Sequence, residues 1–175
     1  MKKLQIAVIW SAWSQEYAQW WFDFDLLYKL AYQCWYELAK SWCIVVTGWK
    51  SGIMEWASQG AKDWWGMTVG IVKWSERGVA NIYVDVEVVT NMWDGGDAFL
   101  IPYTADAAIV IWWGVWTLKE ISGFYLQWKP LVSISNTWWR SQKLSDKYLD
   151  ERKIVSVVSK VTPKEAVDYI LSTCS

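Results

Sequence analysis

Residues 107–120 read AAIVIWWGVWTLKE. Ala107 to Ile111 are small or β-branched and apolar without polar alternation, the composition of a strand buried on both faces. Thr117 opens a stretch of helical composition, so strand passes to helix through the short turn 112–116. Such a turn holds phosphate by bringing backbone N–H groups at a helix N-terminus close to the anion. Glycine permits that approach and an indole blocks it. Here the turn carries Trp112, Trp113 and Trp116, with Gly114 alone between them.

The rest of the chain repeats the alternation. Apolar runs predict strands at about 4–10, 43–48, 67–72, 83–90, 107–112, 130–135 and 154–158. Amphipathic segments predict helices at about 24–41, 51–64, 94–104 and 117–127. Pro163 at the first helical position and Glu165 at the third predict a capped final helix from Thr162. SDKYLD, 145–150, reads as an exposed helical turn, and Pro102 should kink or shorten the helix before strand 107–112. Apolar strands alternating with helices specify an α/β fold: a doubly wound, mainly parallel sheet of about six or seven strands with helices on both faces. With no Pro-, Gly- or Ser-rich linker, residues 1–175 read as a single domain.

Composition removes whole classes of chemistry. The chain contains no histidine, which excludes Ser-His-Asp and Cys-His catalysis and imidazole metal ligation. A net charge of −1 with interspersed acids and bases gives no footprint for nucleic acid or an anionic membrane. Cys34, Cys43 and Cys174 are widely spaced, without a disulfide framework or metal cluster. Cys34 falls at helical spacing with Leu26, Leu27, Leu30, Ala31 and Leu38 and reads as a core filler. The start, MKKLQIAVIW, looks superficially like a signal peptide, but its apolar run is short and leads into a loop, so the cytoplasm is the expected location.

Tryptophan is the anomaly: 18 residues against 10 glycines. Trp42 and Trp128 follow helices and precede strands, the place where a left-handed residue ends a helix. Trp10, Trp13, Trp49, Trp138 and Trp139 follow strand ends. Two explanations are open: a pocket filled with indoles, or a reading frame in which UGA, tryptophan in some genetic codes and glycine in others, has been read as tryptophan. Helix ends are not pocket positions, so the expectation is that most of these residues stand for glycine. Trp93 and one of Trp20 and Trp21 are the candidates for genuine tryptophan.

With glycine at 112, 113 and 116 the turn would read GGGVGTLKE, and the pattern GGxGTxxE resembles the signature of the "lonely guy" and lysine-decarboxylase-like proteins of the SLOG superfamily. The loop IWSAWS and the segment VTGWKSGIMEWASQGAKDWWGMTVGIV resemble two further elements of that family. The C-terminal KYLDERKIV is similar to the branch that includes molybdenum cofactor carrier proteins. The resemblance implies a Rossmann-like fold, a small phosphorylated ligand such as a nucleoside monophosphate or a molybdopterin-type cofactor, and a homodimer or homotetramer.

On that resemblance the ligand would be held by Trp10, Ser11, Trp13, Gly48, Trp49, Ser51, Gly52, Glu55, Trp112, Trp113, Gly114, Trp116 and Thr117. Lys50 offers a counter-charge, and no residues read as a metal site. Enzymatic members hydrolyse the N-glycosidic bond of nucleoside 5′-monophosphates, and Glu120 matches their acting glutamate. Without a ligand, the turn is simply a strand-to-helix connection. Glu120 would then be a first-turn carboxylate interacting with the helix dipole, worth about 0.3–1 kcal/mol. The family's arginine has no counterpart, because no arginine lies between Arg77 and Arg140. Asp94 and Asp97, in its place, could replace it only with a metal or a different substrate, and otherwise read as helix-start caps. The leading expectation is a carrier or sensor, with a phosphoribohydrolase as the alternative, and with the tryptophans impairing the site as written.

Overall fold

The computed structural model describes residues 2–10, 23–50, 53–93, 95–111, 114–135 and 144–174, apart from the side chains of Phe24, Ile53, Trp56 and Asp97. Its strands are β1 (Gln5–Ile9), β2 (Ile44–Gly48), β3 (Met67–Val72), β4 (Val86–Val89), β5 (Ala107–Val110), β6 (Leu131–Ile134), β7 (Lys147–Tyr148) and β8 (Ser156–Lys160). The helices are α1 (Phe24–Lys40), α2 (Ile53–Lys62), α3 (Gly96–Thr104), α4 (Val115–Leu126) and α5 (Pro163–Thr173).

The strands form one sheet in the order β4-β3-β2-β1-β5-β6-β8-β7. Every pairing is parallel except β7 with β8. After β1 the chain builds outward through β2, β3 and β4, then returns to place β5 on the other side of β1. The crevice beyond the C-terminal ends of β1 and β5 is therefore the switch point at which open α/β sheets bind ligands.

Strand alternation feeds two cores. Ile6, Val8, Val45 and Ile109 face Leu27, Ala31, Cys34 and Leu38 of α1, Ala57 and Ala61 of α2 and Ile170 of α5. Ala7, Ile9, Val46 and Val110 face Ile101 of α3 and Ile121, Phe124 and Tyr125 of α4. Cys34 is fully buried, and burial pushes its thiol far above the ordinary range, as a core filler requires.

Helix ends follow local chemistry. Asp23 caps α1 by accepting the Leu26 N–H at 2.9 Å. Thr162 and Glu165 form a reciprocal capping box at α5, with Pro163 in the first turn. The C-terminal ends of α1, α2 and α4 share one geometry. Trp42, Trp65 and Trp128 sit at φ 61°, 57° and 60°. In each case the tryptophan N–H bonds the carbonyl three residues back, on Ala39, Lys62 or Tyr125. The next residue, Cys43, Gly66 or Lys129, bonds the carbonyl of Leu38, Ala61 or Phe124. This is the Schellman pattern, which normally carries glycine at the left-handed position.

Four expectations change. SDKYLD is not a helical turn throughout: Lys147 and Tyr148 pair antiparallel with Val157 and Ser156, adding an eighth strand. The fourth strand starts later than 83 because the Val84 N–H closes a turn on the Asn81 carbonyl at 3.1 Å. The helix expected from Thr117 starts at Val115. The N-cap of α3 is Gly95 at φ 98°, with no side-chain cap hydrogen bond.

Candidate functional site

A cavity of about 130 Å³ opens at the switch point. Val8, Ile9 and Trp10 enter from the end of β1, Gly48 and Lys50 from the end of β2, Lys73 from the end of β3, and Met54 from α2. Gly95, Ala98 and Ile101 bring in the start of α3, and Trp116 and Glu120 the start of α4. Parallel strands deliver backbone ends, and the two helices direct their N-terminal, partially positive ends toward the same space. Among the described lining residues, Lys50 and Lys73 bring positive charge against the carboxylate of Glu120.

The N-terminus of α4 is open to an anion in two respects. Its N-cap is Gly114, which offers no side-chain acceptor to the first-turn amides. In that turn Thr117 is fully buried, and its hydroxyl has no hydrogen-bond partner. An unpaired buried hydroxyl costs about 1–3 kcal/mol, a cost that a polar group placed against it would relieve. Glu120 is only 8% exposed. Because α4 begins at Val115, Glu120 lies in its second turn, not the first, and the helix-dipole explanation of that carboxylate weakens accordingly.

Of the residues expected from sequence, Trp10, Gly48, Trp116 and Glu120 line the cavity together with Lys50. Gly114 and Thr117 form the adjoining helix start. Glu55 lies in the first turn of α2 and is not among the lining residues. Trp49 stacks edge-on to Trp74, which in turn meets Trp93, and its indole N–H is buried without an acceptor. Asn81 steadies this loop by bonding the backbone carbonyls of Trp49 and Lys50. Ser11, Trp13, Ser51, Gly52, Asp94, Trp112 and Trp113 lie outside the described residues. Sequence reasoning missed Lys73, which follows β3 and reaches the cavity only through the order of β1, β2 and β3 across the sheet. It also missed Gly95.

Trp116 partly closes the site. Its ring lies where a Cβ on Gly95 would come within 2.9 Å of it, and the Lys119 amine sits 4.7 Å from the ring centre. Among the described lining residues there is no arginine. Nor is there any group of three or more Cys, Asp or Glu able to hold a metal among the described residues. No helix among them is long and apolar enough to cross a membrane.

Known proteins resemble this chain over nearly its full length. The structure of TM1055 is 27% identical, with a TM-score of 0.83, covering 97% of this chain and 99% of its own. The molybdenum cofactor binding protein of the phototrophic bacterium Rippkaea orientalis is 25% identical, with a TM-score of 0.80, covering 100% and 99%. The molybdenum cofactor carrier protein of Chlamydomonas reinhardtii, 21% identical with a TM-score of 0.74 and covering 98% and 99%, shares the fold. No curated protein matches. The SLOG cluster4 family matches residues 4–167, and the chain, with its Rossmann-like sheet and its crevice at the β1–β5 switch point, belongs to that family.

Proposed function

We propose that this chain, as one domain spanning 1–175, binds a small phosphorylated cofactor in the β1–β5 crevice and carries it without turnover. The observation that carries the reading is the buried, unpartnered Thr117 hydroxyl at the uncapped start of α4. Amides of that turn and the hydroxyl are the donors an anion requires, and Lys50 and Lys73 supply its counter-charge. The 25%-identical Rippkaea protein, a molybdenum cofactor binding protein, favours a molybdopterin-type ligand over a nucleoside monophosphate. Among the described lining residues no arginine accompanies Glu120, unlike the arrangement expected of the enzymatic relatives, and this favours carriage over N-glycosidic hydrolysis.

The cavity of about 130 Å³ is smaller than the roughly 300–1,000 Å³ of typical ligand pockets. Its deficit lies in indoles. Trp116 and Trp10 are in its wall. Trp49 and Trp35 each bury an indole N–H without an acceptor, although buried indoles normally find one. Trp42, Trp65 and Trp128 occupy left-handed helix ends. Glycine resolves all three kinds of misfit, so we infer that these positions are glycine in the polypeptide made by its own organism, through a reassigned UGA codon.

The experiment has two arms. Masses of source-organism peptides covering 105–119, beside the gene sequence, distinguish glycine from tryptophan. UGG codons, or tryptophan mass at 112, 113 and 116, overturn the recoding. Calorimetric titration of the glycine-bearing chain with molybdopterin and with adenosine 5′-monophosphate tests the ligand. Binding weakened about tenfold or more by Thr117→Val, with no base release, is the expected result. Base release abolished by Glu120→Gln would make the protein a phosphoribohydrolase instead, and no binding of either compound would overturn the carrier.

A further inference from the structure

We propose that Lys119 is a third ligand-binding cation of the crevice, and that the site takes a ligand with two anionic groups, a diphosphate ester being the simplest class. The inference rests on the carrier reading and adds to it what the ligand must carry. Lys50 and Lys73 reach the cavity from the ends of β2 and β3. Lys119 reaches it from the helices. A Cβ built on Gly95 would lie 3.0 Å from Lys119 Nζ and 2.9 Å from the Trp116 ring, and Gly95 and Trp116 both line the cavity. Gly95 is at φ 98°, so backbone conformation and space both demand glycine there. Its missing side chain lets the ammonium come up against the start of α3.

For the fold alone that is the wrong place for a cation. A helix N-terminus is partially positive, and positive side chains stabilise the opposite end. Lys129 follows the rule: its ammonium donates to the carbonyls of Pro102 and Ala105 at the C-terminal end of α3. Lys119 breaks it twice, standing at the N-cap of α3 and in the second turn of α4. Lys62 and Lys164 have Asp85 and Asp168 as partners, whereas Lys119 makes no ion pair among the described residues. Its ammonium rests on the Trp116 ring, 4.7 Å from the centre, and glycine at 116 would remove that support. An anion in the crevice relieves the repulsion. It is not the anion that Thr117 meets, because residues two apart on a helix do not share a face. A phosphoryl group against the buried Thr117 hydroxyl leaves the exposed Lys119 ammonium to a second one.

Calorimetric titration of the full chain with inorganic phosphate and with pyrophosphate tests it, each tryptophan position carrying the residue that the peptide masses give. Pyrophosphate should bind about tenfold or more tighter than phosphate, the usual worth of one charge-assisted hydrogen bond. Lys119→Gln should abolish that preference and leave phosphate binding nearly unchanged, while Lys119→Arg keeps it. Because the side chain is exposed, neither substitution should alter the circular dichroism. Pyrophosphate bound no tighter than phosphate overturns the proposal. So does a preference that survives Lys119→Gln, or an equal weakening of both anions by that substitution. Failure of both anions to bind overturns it as well, and the molybdopterin titration then reads separately whether the carrier reading falls with it.

Discussion

Gly123 of α4 faces Pro102 of α3 so closely that a methyl group on it would lie 2.6 Å from the proline Cγ. Pro102 sits inside α3, and the end of that helix is held by Lys129, whose ammonium donates to the carbonyls of Pro102 at 2.6 Å and Ala105 at 2.7 Å. The two helices are thus fixed at both the middle and the end. Gly123→Ala should destabilise the fold by about 1–3 kcal/mol, the usual range for overpacking. Urea denaturation measures it, and an unchanged midpoint would mean that α3 and α4 can separate freely.

The three left-handed tryptophans permit a test that needs no source organism. In the chain as written, Trp42→Gly, Trp65→Gly and Trp128→Gly should each stabilise by about 1–2 kcal/mol, the cost of a left-handed non-glycine residue. The effects should add, since the sites end different helices. Alanine at the same positions retains its Cβ and should recover much less. Equal gains from glycine and alanine would place the cost in the indole surface and not in φ.

Thr117→Val should move stability and binding in opposite directions. The substitution removes a buried hydroxyl that has no partner, so the ligand-free protein should gain up to about 1–3 kcal/mol. Ligand-induced stabilisation should shrink at the same time. Loss of stability in the free protein would show that the hydroxyl is already satisfied.

Asp150 sets an acid-side dependence. The Arg152 guanidinium, then the Tyr125 hydroxyl, hold its carboxyl down to about 2. Tyr125 also accepts the Ile154 N–H at 3.1 Å, so the carboxylate anchors the segment that leads into β8. The unfolded carboxyl titrates near 3.9. Its contribution is therefore fully present above about pH 4 and is lost as pH falls through about 2. Denaturation midpoints of wild type and Asp150→Asn should differ by a constant amount above pH 5 and converge toward pH 2.

Much of this was legible in the sequence, and the reasons are local. Apolar β-branched runs located every long strand, because a strand covered on both faces tolerates little else. The Thr162–Glu165 pair marks the start of the last helix by side-chain chemistry, and Trp42 and Trp128 mark helix ends by occupying glycine's place. The start of α4 was misplaced by two residues because its cap, Gly114, has no side chain to announce it. Strand β7 was hidden because two residues have no periodicity, and only pairing with Val157 and Ser156 defines it. Lys73 joins the cavity through the order of β1, β2 and β3 across the sheet, which no local pattern contains.

Trp65 is 98% exposed and Trp35 fully buried. Light therefore reads the genetic code of this protein. Translated with tryptophan, the chain emits from indoles of two kinds, one reached by soluble quenchers and one shielded from them. Translated with glycine at the positions inferred, those two sources vanish and the nine tyrosines take a larger share of the spectrum. A tryptophan that survives at Trp93, close to the crevice, would then report ligand binding against a nearly dark background.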